Sequence, residues 1–384
     1  MTVEHRFVSE SVTPGHPDKL CDAIADAVVE ALLRQDPHAA AEVECAVASG
    51  IVFLAARIAA HASIDMSATA RQVLEECGYA AADGGQFDAR RCSILTSLTD
   101  LPDGDRSAAD PVADEHVNAF GFACTDTAAL MPLPIMLAHR VARAFDAARV
   151  AGALGRVTPD AKAQVAVAYR DGRPVGIAGI TLICGGPAAV LSGLRPRVED
   201  AVLAPVLAGT RLPFSGTVAI NPGGFRRGGG PATHPGLTGR KPGIDTYGEF
   251  SRQPQAALSG KDPASIDRLG AYAARWVAKN IVAAGLAERC EVHICYAAGQ
   301  AEPASLRVHT FGTGSAPDHL LSERVIRTVD VRPGTLLRRM RLRERISEAP
   351  VGGFLRPLAT YGHVGREDLD LPWEQTDLVA NLRL

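Results

Sequence analysis

One local pattern recurs three times along the chain and restricts its fold more than any other feature. It is a hairpin of two apolar strands followed by an amphipathic helix. In the first third, residues 43–47 and 51–59 flank the turn Ser49-Gly50, and 67–78 has helical periodicity. In the middle third, 164–169 and 175–184 flank Asp171-Gly172, a pair that tolerates the positive φ of a tight hairpin turn. A helix over 197–208 follows. In the last third, 291–297 and 305–312 read as strands and 317–329 as a helix. Three such units predict an α+β fold of three pseudo-repeated domains, each a sheet with helices on one face. The other sheet faces then need a covering, so an oligomer formed through the sheets is expected. A chain of 384 residues is also long for one core. The expected domains are 1–105, 106–228 and 229–384.

Two long helices stand outside the repeat. Residues 17–34 carry Leu20, Ile24, Val28 and Leu32 at helical spacing, and 263–284 carry Ile266, Ala273, Val277 and Ile281. Each follows directly on a motif containing Lys and Asp. Loops are expected near 98–115, 184–190, 221–263 and 345–360. The longest, 221–263, is rich in glycine, and long ordered loops in compact domains are usually functional.

Composition narrows the partners. A net charge of −3 gives no bulk attraction to nucleic acid or to an anionic membrane, so any anion site must be local. The start, MTVEHRFVSES, has no apolar signal region, and no apolar run reaches the roughly 18 residues of a membrane span. The eight cysteines are dispersed without a C-x-x-C, which fits reduced, buried thiols in a cytoplasmic protein.

Of forty basic residues only Lys19, Lys162, Lys241, Lys261 and Lys279 are lysine. In so Arg-rich a chain, a surviving lysine marks a place where a compact point charge suits better than a guanidinium fork, as on phosphate oxygens. Chance scatter is the alternative. The long loop adds weight: Gly228-Gly229-Gly230 lets backbone N–H groups approach an anion, and Arg240-Lys241 and Lys261 add three cations. Lys261 also opens the second long helix, whose N-terminus favours anions. Together these suggest a polyphosphate, although a solvated basic loop has the same composition. Gly15-His16-Pro17-Asp18-Lys19 suits a rigid site, with His16 as donor to a leaving phosphate and Asp18 as magnesium ligand. An ordinary helix start, with Pro at N1 and Asp in the first turn, explains the same residues.

These motifs occur together and in order with Ser9-Glu10-Ser11-Val12, Pro159-Asp160-Ala161-Lys162, Ile220-Asn221-Pro222, Gly236-Leu237-Thr238-Gly239-Arg240-Lys241, Asp245-Thr246-Tyr247-Gly248 and Ser259-Gly260-Lys261-Asp262-Pro263. Tyr361-Gly362-His363 and Pro372-Trp373-Glu374 follow near the end. The set resembles the S-adenosylmethionine synthetase (methionine adenosyltransferase) family over nearly the whole chain. The resemblance implies three pseudo-repeated domains and active sites shared between subunits of a tight dimer, often paired into a tetramer. It implies attack by methionine sulfur on C5′ of ATP, with the triphosphate released and cleaved to pyrophosphate and phosphate. His16 would face the oxygen at C5′. Lys162, Arg240, Lys241 and Lys261 would hold the triphosphate, and Asp160 would sit near the ribose. Asp18 and Asp267 would ligate a pair of magnesium ions, and Glu44 a potassium ion.

The chain departs from the family pattern mostly on the methionine side. The family's Gly-Ala-Gly-Asp-Gln-Gly reads Val112-Ala113-Asp114-Glu115-His116-Val117, its Asp becoming Glu115, and the loop 101–109 before it is shorter. The glutamate that meets the methionine amino group aligns with Arg57. The Gly-Asp before Gly-Leu-Thr-Gly becomes Thr233-His234-Pro235, a lysine aligns with Ser265, and a pocket isoleucine aligns with Ala298. The Arg-Phe pair whose ring packs on adenine reads Phe225-Arg226, which bears on the choice of base. An ammonium beside Arg57 would be repelled, so an acceptor other than ordinary methionine is expected. A synthetase with a rebuilt methionine pocket is one alternative. A non-catalytic ATP-binding regulatory subunit is the other, against which the intact phosphate and metal set argues.

Overall fold

The tight turns form at the expected dipeptides, with φ of 52° at Ser49, 49° at Asp171 and 79° at Gly172. The computed structural model describes residues 4–80, 87–101, 111–224, 226, 228–351 and 353–383. Three sheets result. The first has the order β4 (Ser93–Asp100), β3 (Ile51–Ala59), β2 (Ala40–Ala48), β9 (Gly236–Leu237). The second runs β1 (Glu4–Val12), β6 (Ala161–Arg170), β7 (Arg173–Cys184), β8 (Phe214–Ile220). The third runs β11 (Ser305–His309), β10 (Arg289–Tyr296), β5 (Val117–Cys124). The α+β architecture with three sheets is therefore as the repeat predicts.

The sheets trade strands along the chain. β1 pairs with β6, β5 with β10, and β9 with β2, so each sheet holds a strand from a distant segment. β1, β4, β5, β8 and β9 are the strands that periodicity did not single out. β4 is exposed along most of its length and rich in Ser and Thr, while β5 is buried on both faces and has no alternation.

Helices pack on one face of each sheet. α1 (Pro17–Gln35) lies on the first, α3 (Leu133–Val150) on the second, and α4 (Ile266–Ala283) with α5 (Asp318–Thr328) on the third. Sheets one and three share one hydrophobic core through α1, α2 (Met66–Leu74) and α4; sheet two has its own around α3. The opposite face of sheet one carries Ile51, Phe53 and Leu95, each at least 43% exposed. No described helix is long and apolar enough to cross a membrane.

α1 holds the long loop in place. Asp18, Asp22, Asp26 and Glu30 recur every four residues on one face, and all four are buried. Like charges at this spacing destabilise an isolated helix. Here each carboxylate instead takes a backbone N–H from a distant segment: Leu237 of β9 at 3.1 Å, and from loops Gly239 at 2.8 Å, Gly260 at 2.9 Å and Phe354 at 3.0 Å respectively. Gly236 makes this approach possible, because a Cβ there would overlap the backbone of Pro17. Lys19 is fully buried between Asp22 and Asp245, and Lys279 pairs with Glu374 at 2.7 Å. Two of the five lysines are thus internal ion-pair partners, which corrects the expectation that surviving lysines mark phosphate contacts.

Candidate active site

His16 is a helix cap, as the ordinary helix-start reading expects, and it also lines a cavity. It is the N-cap of α1, with Pro17 at N1, and its Nδ1 accepts the backbone N–H of Asp18 at 3.2 Å. A neutral imidazole that accepts at Nδ1 carries its proton on Nε2. Nε2 is buried and has no hydrogen-bond partner among the described residues. Burial, together with the nearby Lys162, His234 and Lys241, lowers the His16 pKa to about 3, the opposing pull of Asp160 notwithstanding. The ring is therefore a neutral N–H donor at physiological pH. Tyr79 fixes the preceding turn by donating to the Gly15 carbonyl at 2.6 Å.

The His16 cavity, of about 180 Å³, is lined by His16, Asp18, Lys162, His234, Pro235, Arg240 and Lys241. Lys162 stands at the start of β6, and Arg240 and Lys241 follow the loop clamped by Asp18 and Asp22. Lys241 donates to Glu10 at 2.6 Å. Asp160 lies beside the cavity, accepting from the Gly230 N–H and from His234 Nε2, both at 2.8 Å. Burial alone would raise its pKa, but the His234 hydrogen bond, His16 and the Gly230 N–H outweigh it and hold Asp160 below the usual carboxylate value.

A second constellation lies apart from this cavity. Lys261 is ion-paired with Asp267 in the first turn of α4, next to Ser265, whose side chain does not cap the helix. The free N–H of Ile266 is taken instead by Asp114 at 3.0 Å. Lys261 pairs with Glu42 on β2 through its backbone, and the Glu42 side chain accepts from Arg57 across the strand pair at 3.1 Å. Glu44 shares that strand face, and burial raises its pKa despite the nearby Lys261. Glu115 accepts the His116 N–H at 3.1 Å, and His116 Nδ1 accepts the Ala298 N–H at 3.3 Å. None of these residues lines the His16 cavity. Arg226 pairs with Gly185 through its backbone, and Phe225 lies outside the described residues.

Glu42, Asp114, Tyr79 and Asp22 were not singled out from the sequence. Glu42 was findable: a turn at Ser49-Gly50 sets 48 opposite 51 and hence 42 opposite 57. The other three act on backbone N–H or C=O groups, for which a sequence carries no signal.

The neutrality of His16 has a measurable sign. In the unfolded chain the ring takes a proton near pH 6.5, whereas in the fold it refuses one until about pH 3. Its contribution to stability is thus complete above pH 6.5 and declines as pH falls through that window. Wild type should lose about 1.4 kcal/mol more per pH unit between pH 6 and 4 than His16→Asn, by denaturant unfolding. Equal slopes would mean that the folded ring titrates normally.

Similarity to known proteins covers the whole chain. The S-adenosylmethionine synthetase N-terminal, central and C-terminal domain families match residues 4–102, 111–225 and 228–375. The S-adenosylmethionine synthase of Thermosynechococcus vestitus is 42% identical over 408 aligned positions, covering 99% of this chain and 98% of that protein. Those of Synechococcus sp. strain JA-3-3Ab and Acaryochloris marina are each 44% identical, covering 98% of this chain and 97% and 96% of theirs.

Proposed function

The chain belongs to the S-adenosylmethionine synthetase family, and on that premise we propose that it makes S-adenosylmethionine from ATP and methionine. The relatives support methionine as acceptor, and they give no support to the other acceptor expected from Arg57. The observation that carries the reading is the Glu42–Arg57 pair. Its 3.1 Å contact means the position is not an isolated cation. A carboxylate and a guanidinium side by side offer complementary partners to the ammonium and carboxylate of an α-amino acid, which removes the electrostatic argument against methionine.

The chemistry follows from the cavity. Methionine sulfur attacks C5′ as the C5′–O bond breaks, and the triphosphate departs. His16 donates Nε2–H toward the departing oxygen, while Lys162, Arg240 and Lys241 neutralise the phosphate charge. Water then divides the triphosphate into pyrophosphate and phosphate. Asp18 and Asp267 would hold magnesium and Glu44 potassium, oxygen donors that suit hard cations. Magnesium supplies further neutralisation of the triphosphate.

Two incomplete constellations in one chain support a site assembled from two subunits. The apolar outer face of sheet one carries Glu42, Glu44 and Arg57 beside Ile51 and Phe53, and would bring them to a partner's His16 cavity. The test is purified protein with ATP, Mg²⁺ and K⁺, with and without methionine, followed by mass spectrometry and phosphorus NMR. Methionine-dependent S-adenosylmethionine with pyrophosphate and phosphate is expected. ATP cleavage to phosphates without that product would overturn the reading in favour of another acceptor. ATP binding with no turnover under any condition would favour a regulatory subunit.

A further inference from the structure

His16, Asp160 and His234 each offer a donor atom within 4.8 Å of the other two. The rings of His16 and His234 are 5.0 Å apart and tilted by 55°. Two of the donors are conspicuous: His16 Nε2 and Asp160 Oδ1 are buried and make no hydrogen bond among the described residues. Buried polar atoms normally find partners, and two orphans in one such cluster mark room for a ligand. The third residue, His234, is 26% exposed and closes the set from the loop side.

We propose that these three side chains form a binding site for a divalent transition metal of the zinc class, and that occupying it stops adenosyl transfer. Two imidazoles and one carboxylate suit Zn²⁺, Co²⁺ or Ni²⁺ and are a poor set for Mg²⁺, which prefers all-oxygen coordination. Three protein ligands leave positions open for water. Binding needs two internal adjustments, one in each imidazole. His234 Nε2 now hydrogen-bonds Asp160 Oδ2 at 2.8 Å, so His234 must carry its proton on Nδ1 to free Nε2 for the ion. His16 must likewise move its proton from Nε2 to Nδ1, giving up the N–H of Asp18, whose carboxylate lies 3.8 Å from Nδ1 and faces the new N–H. Both protons stay on their rings and none is released. The cavity's cations oppose an incoming metal, but Lys241 is already neutralised by Glu10 at 2.6 Å. A bound ion would hold His16 Nε2, the nitrogen that otherwise donates toward the departing oxygen. The metal binding stands apart from the choice of acceptor. Only the inhibition rests on the proposed role of His16.

The site is tested with Co²⁺ added to metal-free full-length protein, without nucleotide. A saturable visible ligand-field spectrum is expected at one ion per chain, with no thiolate charge-transfer band, and displaced by Zn²⁺. His234→Asn and Asp160→Asn should each weaken it at least about tenfold. Both keep a hydrogen-bonding group of similar size, and circular dichroism verifies the fold. No saturable spectrum, a thiolate band, or affinity unchanged in both variants would overturn the site. If Co²⁺ binds as expected but Zn²⁺ leaves wild-type turnover untouched, the inhibitory half of the proposal fails and the site is separate from the chemistry.

Discussion

Lys241→Met should lower kcat/KM for ATP by about a thousandfold, and adding Glu10→Gln to it should restore about a tenth of that loss in logarithmic terms or more. Triphosphate is a workable leaving group at carbon only if its charge is met by fixed cations, and the cavity supplies three of them. Removing an aimed charge from such a site costs about 3–4 kcal/mol in the transition state. Lys241 has a second task, since it neutralises Glu10 at 2.6 Å. Its loss therefore subtracts a cation and also leaves a carboxylate facing the phosphates. Glu10→Gln removes that second penalty while leaving the first. Lys162 has no such acidic partner among its described contacts, so Lys162→Met should be the milder variant and Glu10→Gln should not rescue it. Steady-state kinetics on the four proteins decides the matter. Rescue of both lysine variants alike, or of neither, would mean that Glu10 does not act through Lys241.

The parts of this protein that follow from periodicity and turn chemistry are legible in its sequence. Hairpins at Ser49-Gly50 and Asp171-Gly172, and the helices begun by Pro17 and near Asp267, all form. Strands that lack alternation escape that reading, β5 because both faces are buried and β4 because few of its residues are. Strand exchange between sheets is also invisible in one dimension, since pairing β1 with β6 depends on how distant segments close.

The site divides along a similar line. His16, Asp18, Lys162, Arg240 and Lys241 belong to contiguous motifs, and the fold gathers them around one cavity. The residues that hold them, Asp22 beneath Gly239 and Tyr79 against Gly15, act on backbone groups from far along the chain. Arg57 shows the cost of reading one position by itself. Its charge suggests repulsion of an ammonium, yet its strand partner Glu42 carries the compensating charge. A reversed charge is informative only after the register supplies its neighbour. The lysine count makes the same point: rarity raised Lys19 and Lys279 to candidates, and burial beside Asp22, Asp245 and Glu374 gives them another explanation.

His16→Asn and Asp267→Asn, each expected to be almost inactive alone, should regain about a quarter of wild-type turnover when the two chains are mixed into one dimer population. The His16 cavity contains neither Lys261 nor Asp267; Asp267 is in the first turn of α4 and its partner Lys261 pairs through its backbone with Glu42 of β2. If a working centre takes the first group from one subunit and the second from its partner, a mixed dimer holds one centre with both halves intact and one with both damaged. Random pairing makes about half the dimers mixed, each with one working centre of two, which gives the expected quarter. A route through the sheet face is available because Ile51, Phe53 and Leu95 stand exposed on the same surface as Glu42 and Arg57. Exposed apolar residues clustered beside charged site residues are the mark of an interface rather than of a free surface. Native mass spectrometry counts the mixed dimers, so the result is readable whichever way it falls. Mixed dimers present in the expected share with no regained turnover would place both halves of the centre within a single chain.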